Sequence, residues 1–316
     1  MPKPSKSTPL LHSELRVDYI HDRQVIVAAG RRKRPHDSSK VEEKRPADIF
    51  SREAQSSVQG LFAIGGKKNW RVKVIPNIYP IVSPTFPKAY GHHEVVIETP
   101  DTGVELANLP VAHIVDILRA YSQRVRALQS DKKIKYILVF KNQGGSAGAS
   151  INHAHSQIVA TSYLPPHILG RRERALEYRA THGTDYYSDL IIQEKDGPRW
   201  ISSGRHMCAL TPYASLYNYE AWIMPWRRVD NIAQLRPAEL QEMAEYLKKI
   251  LGVVNALGLP YNFYLHQVVA DEQEHLYLRI APRKDVWAGL ELGSRLVVNS
   301  IPPEEAAEVY RQAFTK

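Results

Sequence analysis

One order of elements is written twice along this chain, and that repetition limits the folds open to it more than any other feature. In the first copy a strand over residues 93–98 (HEVVIE) is closed by Pro100. A helix over 109–128 follows, with Pro110 in its first turn and Ile114, Val115, Leu118, Val125 and Leu128 approximating a helical stripe. A strand over 134–140 leads through a loop rich in small residues to His153-Ala154-His155-Ser156-Gln157 and the apolar Ile158, Val159 and Ala160. In the second copy a strand over 220–224 ends at Pro225. A helix over 237–257 buries Leu240, Met243, Ala244, Leu247, Ile250, Leu251 and Val254 and is stopped by Gly258 and Pro260. Strands over 261–269 and 275–280 complete it. HEVVIETPD answers YEAWIMPWR, and His153, His155 and Gln157 answer His275, Tyr277 and Arg279. A duplicated strand–helix–strand–strand unit predicts an α+β fold of two tandem units, 1–185 and 186–316, each an antiparallel sheet with a packed helix.

The reactive residues fall in the first copy. Gly144 to Ser150 is Gly-Gly-Ser-Ala-Gly-Ala-Ser, and small residues let backbone N–H groups approach an anion closely, so the loop reads as a phosphate cradle. On a strand, alternate residues share a face, which sets His153, His155 and Gln157 side by side. Two histidines so placed can ligate a metal, move protons or attack an electrophile. An imidazole that attacks phosphorus forms a phosphoramidate and splits a nucleotidyl transfer into two in-line steps. It must be neutral, with its other nitrogen donating to a carbonyl, and donors must receive the phosphate oxygens. Ser150 and Gln157 supply such donors. The second copy has Tyr277 and Arg279 in place of His155 and Gln157, which predicts chemistry in the first copy and a structural or substrate-holding, dimer-forming role for the second.

The remaining features bound the answer. The 316 residues carry a net charge of +9, with a run Arg31-Arg32-Lys33-Arg34 near the start. This suits either a solvated basic face or attraction of an anionic substrate, and no nucleic-acid-binding motif accompanies it. There is no apolar run long enough for a transmembrane helix and no secretory leader, and Cys208 is the single cysteine, so a cytoplasmic location is expected and disulfides within the chain are excluded. His92 and His93 open a strand and read as structural or substrate-rim residues.

Several segments, in order, give the chain a more specific resemblance: Arg31 to Asp37 (RRKRPHD), Trp70 to Pro80 (WRVKVIPNIYP), Gly91 to Pro100 (GHHEVVIETP), the His153–Gln157 motif, Pro282-Arg283, Gly289-Leu290-Glu291 and Asn299 with Pro303-Glu304. Together they resemble the galactose-1-phosphate uridylyltransferase family, the nucleotidyltransferase branch of the histidine triad superfamily. The resemblance implies two histidine-triad-like units and a UDP-glucose–hexose-1-phosphate uridylyltransferase of galactose metabolism. The reaction it implies is ping-pong, with His155 as nucleophile, Gln157 on the phosphoryl group and His153 in support. Asn142, Gly148 and Ser150 fall on positions that hold the phosphates, and Arg31, Arg34 and Asn77 on or near nucleotide-side positions. Lys284, Glu291 and Asn299 fall in the segment that holds a sugar 1-phosphate from the neighbouring subunit, which implies a homodimer whose partners are a nucleotide sugar and a sugar 1-phosphate.

The chain departs from that pattern at the metal positions. Many members of the family bind zinc through a Cys-x-x-Cys pair, a later His and the first His of the motif. Here residues 51–66 contain no Cys, Thr102 stands where the later ligand belongs, and His153 alone cannot make a four-ligand site. At the family's second site His266 and His275 remain, Tyr277 replaces a histidine, and Glu173 is a candidate fourth ligand. No required cofactor is expected, with structural zinc absent from the first site and weak or absent at the second. Two alternatives stay open: an ADP-sugar or dinucleoside-polyphosphate phosphorylase, and a nucleotide-binding protein without catalysis.

Overall fold

The computed structural model describes residues 14–17, 24–27, 48–66, 68–149, 151–270, 274–283 and 287–315, with the backbone alone for the first two segments. Those two are β1 (Glu14–Val17) and β2 (Gln24–Val27), an antiparallel pair standing apart from the main sheet. Arg31, Arg34, Ser150 and Lys284, all expected at the site, lie outside the described residues.

The first copy contains β3 (Phe62–Ile64), β4 (Val72–Pro76), β5 (Gly91–Ile97), α1 (Val111–Gln129), β6 (Tyr136–Gln143) and β7 (His155–Thr161). Two helices, α2 (Pro166–His182) and α3 (Tyr186–Glu194), connect it to the second copy. That copy contains β8 (Trp200–Ser203), β9 (Met207–Leu210), β10 (Ala221–Pro225), α4 (Pro237–Ala256), β11 (Tyr261–His266) and β12 (Tyr277–Pro282). The chain continues through α5 (Gly289–Ser294) to α6 (Pro303–Arg311).

Ten strands form one antiparallel sheet in the order β3-β4-β5-β7-β6-β11-β12-β10-β9-β8, so the two copies join edge to edge through β6 and β11. Helices α1 and α4 cover one face. Ile114, Ile117, Leu118, Tyr121, Val125 and Leu128 of α1 meet Val139, Ile158 and Ala160 of the sheet. Leu240, Leu247, Ile250, Leu251 and Val254 of α4 meet Phe263, Leu265 and Leu278. Burial of these rows drives the layer arrangement, because the apolar stripe of each helix is shielded from water only by packing on the sheet. Truncating a core position such as Ile117 to Ala costs about 2–5 kcal/mol.

The ladder corrects the alignment of the copies by one residue. Val95 pairs with Gln157 in the first copy and Trp222 pairs with Arg279 in the second. If Gln157 answers Arg279, then Val95 answers Trp222 and His93 answers Glu220, whereas the sequence match had set His93 against Tyr219. Sequence similarity could not fix this register, since both strands are apolar on both faces, and a slip of one exchanges the faces. Asn142 pairs directly with Asn262, which places the approximate two-fold axis between β6 and β11.

Candidate active site on the open face of the first copy

The sheet face turned away from α1 and α4 carries His155 and Gln157 of β7 together with His93 of β5, Asn142 of β6 and Asn262 of β11. A cross-strand row runs Gln157–Phe140–Tyr264–Arg279–Trp222 across five strands and both copies. His155 is 6% exposed and Gln157 7%. The Phe50 ring packs on the His155 ring at 5.2 Å between centroids.

The His155 Nδ1 atom lies 2.7 Å from the carbonyl oxygen of His153. Only a donating Nδ1–H satisfies that contact, so the neutral ring carries its lone pair on Nε2, the tautomer a nucleophilic imidazole needs. Beneath the strand, the buried Lys141 ammonium reaches Glu98 at 2.7 Å and the His155 carbonyl at 3.1 Å, and the Tyr121 hydroxyl donates to Ser156 at 2.6 Å. These contacts fix the backbone that presents His155. The sequence carries no signal for Lys141 and Glu98, because each is a charged residue in an apolar run and its partner is distant in the chain.

His153 precedes β7, and the Phe50 ring that packs on His155 also meets the His153 ring edge-on, at 6.0 Å between centroids. The His153 Nε2 lies 2.6 Å from the Thr99 carbonyl and its Nδ1 2.7 Å from the Asp48 carboxylate. Both nitrogens therefore face acceptors, the Thr99 carbonyl and the Asp48 carboxylate. Thr102 donates to the same carboxylate at 2.6 Å, and the Phe50 amide donates to its other oxygen at 3.0 Å. Burial pushes the Asp48 carboxyl up, but the hydrogen bonds from Thr102, His153 and Phe50 outweigh it and hold the group below the usual carboxylate range. Asp48 and Thr99 were missed in the sequence, since nothing local links them to His153.

Part of the small-residue loop is closed on itself. Gly145–Ala147 forms a single 3-10 turn, with Gly144 and Gly148 at φ +86° and +84°, a region glycine enters without strain. The amides of Ala147 and Ala149 donate to the Gly144 carbonyl and that of Gly148 to the Gly145 carbonyl, so these three point into the loop itself. The Asn262 amide ties the loop down, donating to Asn142 Oδ1 and to the Ala147 carbonyl, both at 2.8 Å. Asn77 is brought to the site through His93, its amide nitrogen 3.1 Å from the ring. Asn299 instead binds the carbonyls of Ser215 and Tyr217, and Glu291 accepts from the Ala288 amide at the start of α5. Asn299 thus ties its segment to the loop before β10, and Glu291 caps α5.

The candidate metal residues are also dispersed. His266 donates to Glu274 at 2.8 Å, and Arg171 approaches the same carboxylate at 3.2 Å. Burial pushes the His266 ring down to about 4, so it is neutral at pH 7. His275 contacts the Pro225 carbonyl at 2.8 Å, and Glu173 is exposed on α2. Among the described residues no group of three or more His, Cys, Asp or Glu could hold a metal ion.

Comparison with known proteins gives a consistent picture. A family model described as galactose-1-phosphate uridyl transferase, N-terminal domain, matches residues 83–165. An ADP-glucose phosphorylase from Arabidopsis thaliana is 30% identical over 95% of this chain and 92% of its own length. A galactose-1-phosphate uridylyltransferase from Thermotoga maritima is 26% identical over 95% and 98%. The structure of the Arabidopsis ADP-glucose phosphorylase with bound ADP-glucose superposes with a TM-score of 0.77 at 30% identity, covering 95% of this chain and 99% of that one. A uridylyltransferase structure superposes with a TM-score of 0.81 at 26% identity, covering 96% and 98%.

Proposed function

The chain belongs to the galactose-1-phosphate uridylyltransferase family and is a nucleotidyltransferase, and from that premise we propose that it transfers a nucleotidyl group from a nucleotide sugar by way of His155. The observation that carries this reading is the hydrogen bond from His155 Nδ1 to the His153 carbonyl, which leaves the lone pair on Nε2. In the first half-reaction Nε2 attacks the phosphorus bound to the nucleoside. A P–N bond forms, the P–O bond to the sugar phosphate breaks, and sugar 1-phosphate departs with the electron pair. Gln157 donates to a phosphoryl oxygen as charge builds there. In the second half-reaction an acceptor phosphate oxygen attacks the same phosphorus and His155 leaves.

The leading donor is a UDP-hexose and the leading acceptor a hexose 1-phosphate, as in the uridylyltransferase relatives. A second reading, an ADP-sugar phosphorylase with inorganic phosphate as acceptor, is favoured by the identity to the Arabidopsis ADP-glucose phosphorylase. Incubation with a panel of labelled nucleotide sugars separates them. Acid-labile uridylyl label on the protein supports the first, adenylyl label supports the second, and no label from any donor overturns the covalent reading.

The proposal includes no resident metal. His153 spends both nitrogens on Asp48 and Thr99, and His266 is committed to Glu274 beside the Arg171 guanidinium, so these residues do not fit the family's zinc. It also includes a homodimer, supported by the exposed Leu290, Leu292 and Leu296 around α5, the segment for which the resemblance implies contact with a neighbour's site. Among the described residues no helix is long and apolar enough to cross a membrane.

A further inference from the structure

We infer that His93 is a positioning residue that sets which end of the Gln157 amide faces the transferred phosphoryl group. The inference rests on the covalent reading above and adds a residue to it. The backbone amide of Ile81 donates to His93 Nδ1 at 3.2 Å. A nitrogen that accepts carries no proton, so the neutral ring bears its hydrogen on Nε2. Among the described residues two side chains meet Nε2: the Gln157 amide at 2.9 Å and Asn77 Nδ2 at 3.1 Å. Asn77 cannot receive that proton, because its Oδ1 accepts from the Tyr79 amide at 2.8 Å and its N–H2 group therefore faces the ring. The Gln157 carbonyl oxygen is left as the acceptor. With Oε1 fixed on His93, the Gln157 N–H2 group is turned the opposite way, on the sheet face it shares with His155.

The sense of that amide decides its effect. A side-chain amide has two ends of nearly equal shape and opposite polarity. Presented by its nitrogen, Gln157 donates to a phosphoryl oxygen; presented by its oxygen, it repels one. His93 holds the donating sense through a chain that begins at a backbone amide and so cannot itself invert.

The second copy supports this independently. By the sheet register, His93 answers Glu220 and Gln157 answers Arg279. Glu220 grips Arg279 with Oε1 2.6 Å from Nε and Oε2 2.8 Å from Nη2. Both copies thus place, within or just before one strand, a residue that orients the side chain two positions beyond the reactive station on the neighbouring strand. The His–Gln pair is specific to the copy with a histidine at that station.

The test is a double-mutant cycle on the single-turnover rate at which labelled UDP-glucose or ADP-glucose loads His155. His93→Phe is expected to slow loading about tenfold or more, a factor on the scale of one hydrogen bond, with donor affinity little changed. In a Gln157→Ala background the same substitution is expected to change the rate less than about twofold, because its effect passes through Gln157. His93→Gln, which keeps a donor near the Nε2 position, is expected to recover most of the rate. Should the Phe variant fail to fold, His93→Ala takes its place in the cycle. An unchanged rate, or equal slowing in both backgrounds, overturns the positioning role. Absence of label on the unsubstituted protein from either donor overturns the covalent reading itself.

Discussion

Replacing Asp48 by Asn tests how the approach to β7 is held. The His153 side chain is 1% exposed and Asp48 21%, and their atoms lie 2.7 Å apart. A hydrogen bond to a charged group contributes about 1.5–3 kcal/mol, and a neutral one about 1 kcal/mol. Asn can still accept one neutral bond, so the variant should be about 1–2 kcal/mol less stable at pH 7 by urea unfolding. The dependence on pH follows from the depressed Asp48 carboxyl. Its contribution is complete above the unfolded value of about 4 and disappears as falling pH protonates the folded carboxylate. The difference between the two proteins should therefore close in acid. Loading of His155 should slow as well, since the His153 carbonyl that orients it lies on the same backbone. Equal stability at pH 7, or a gap that persists after Asp48 is protonated, would refute the account of Asp48 as a charged acceptor.

Two further outcomes are expected. The His266 ring, depressed by burial to about 4 against about 6.5 unfolded, contributes stability that is complete above 6.5 and is lost as pH falls toward 4, about 3 kcal/mol in all. His266→Gln, which does not titrate, should lack that slope in unfolding measured between pH 6.5 and 4; the same slope in both proteins would assign it elsewhere. Elemental analysis of the purified protein should find well under one zinc per chain, and one tightly held zinc per chain would overturn the metal-free account.

The repeat made the central architecture legible, because α1, α4 and the strands beside them each bury a continuous apolar row. The connecting helices were not legible. In α2 only Ile168 and Ala175 are buried amid Arg171, Arg172, Glu173 and Arg174, too few apolar positions to mark a helical face. β8 and β9 are four residues each and are the last two strands at one end of the sheet, with little sequence to declare them. At the site, the shared face of His155 and Gln157 was legible from their alternation along one strand. Their supports were not. Asp48, Thr99, Lys141 and His93 reach them through pairings between strands or loops far apart in sequence, and only the fold supplies those pairings. The tie between His93 and Gln157 spans 64 residues.

The central claim is a covalent bond between His155 and a nucleotidyl group. Its most direct measurement is peptide mapping by mass spectrometry after brief incubation with the nucleotide sugar that labels the protein, at neutral pH and without acid. The account predicts one nucleoside monophosphate adduct on the peptide containing His155, removed by mild acid and absent from His155→Gly. An adduct on another residue, or turnover by His155→Gly above about 1% of the unsubstituted rate, would contradict it.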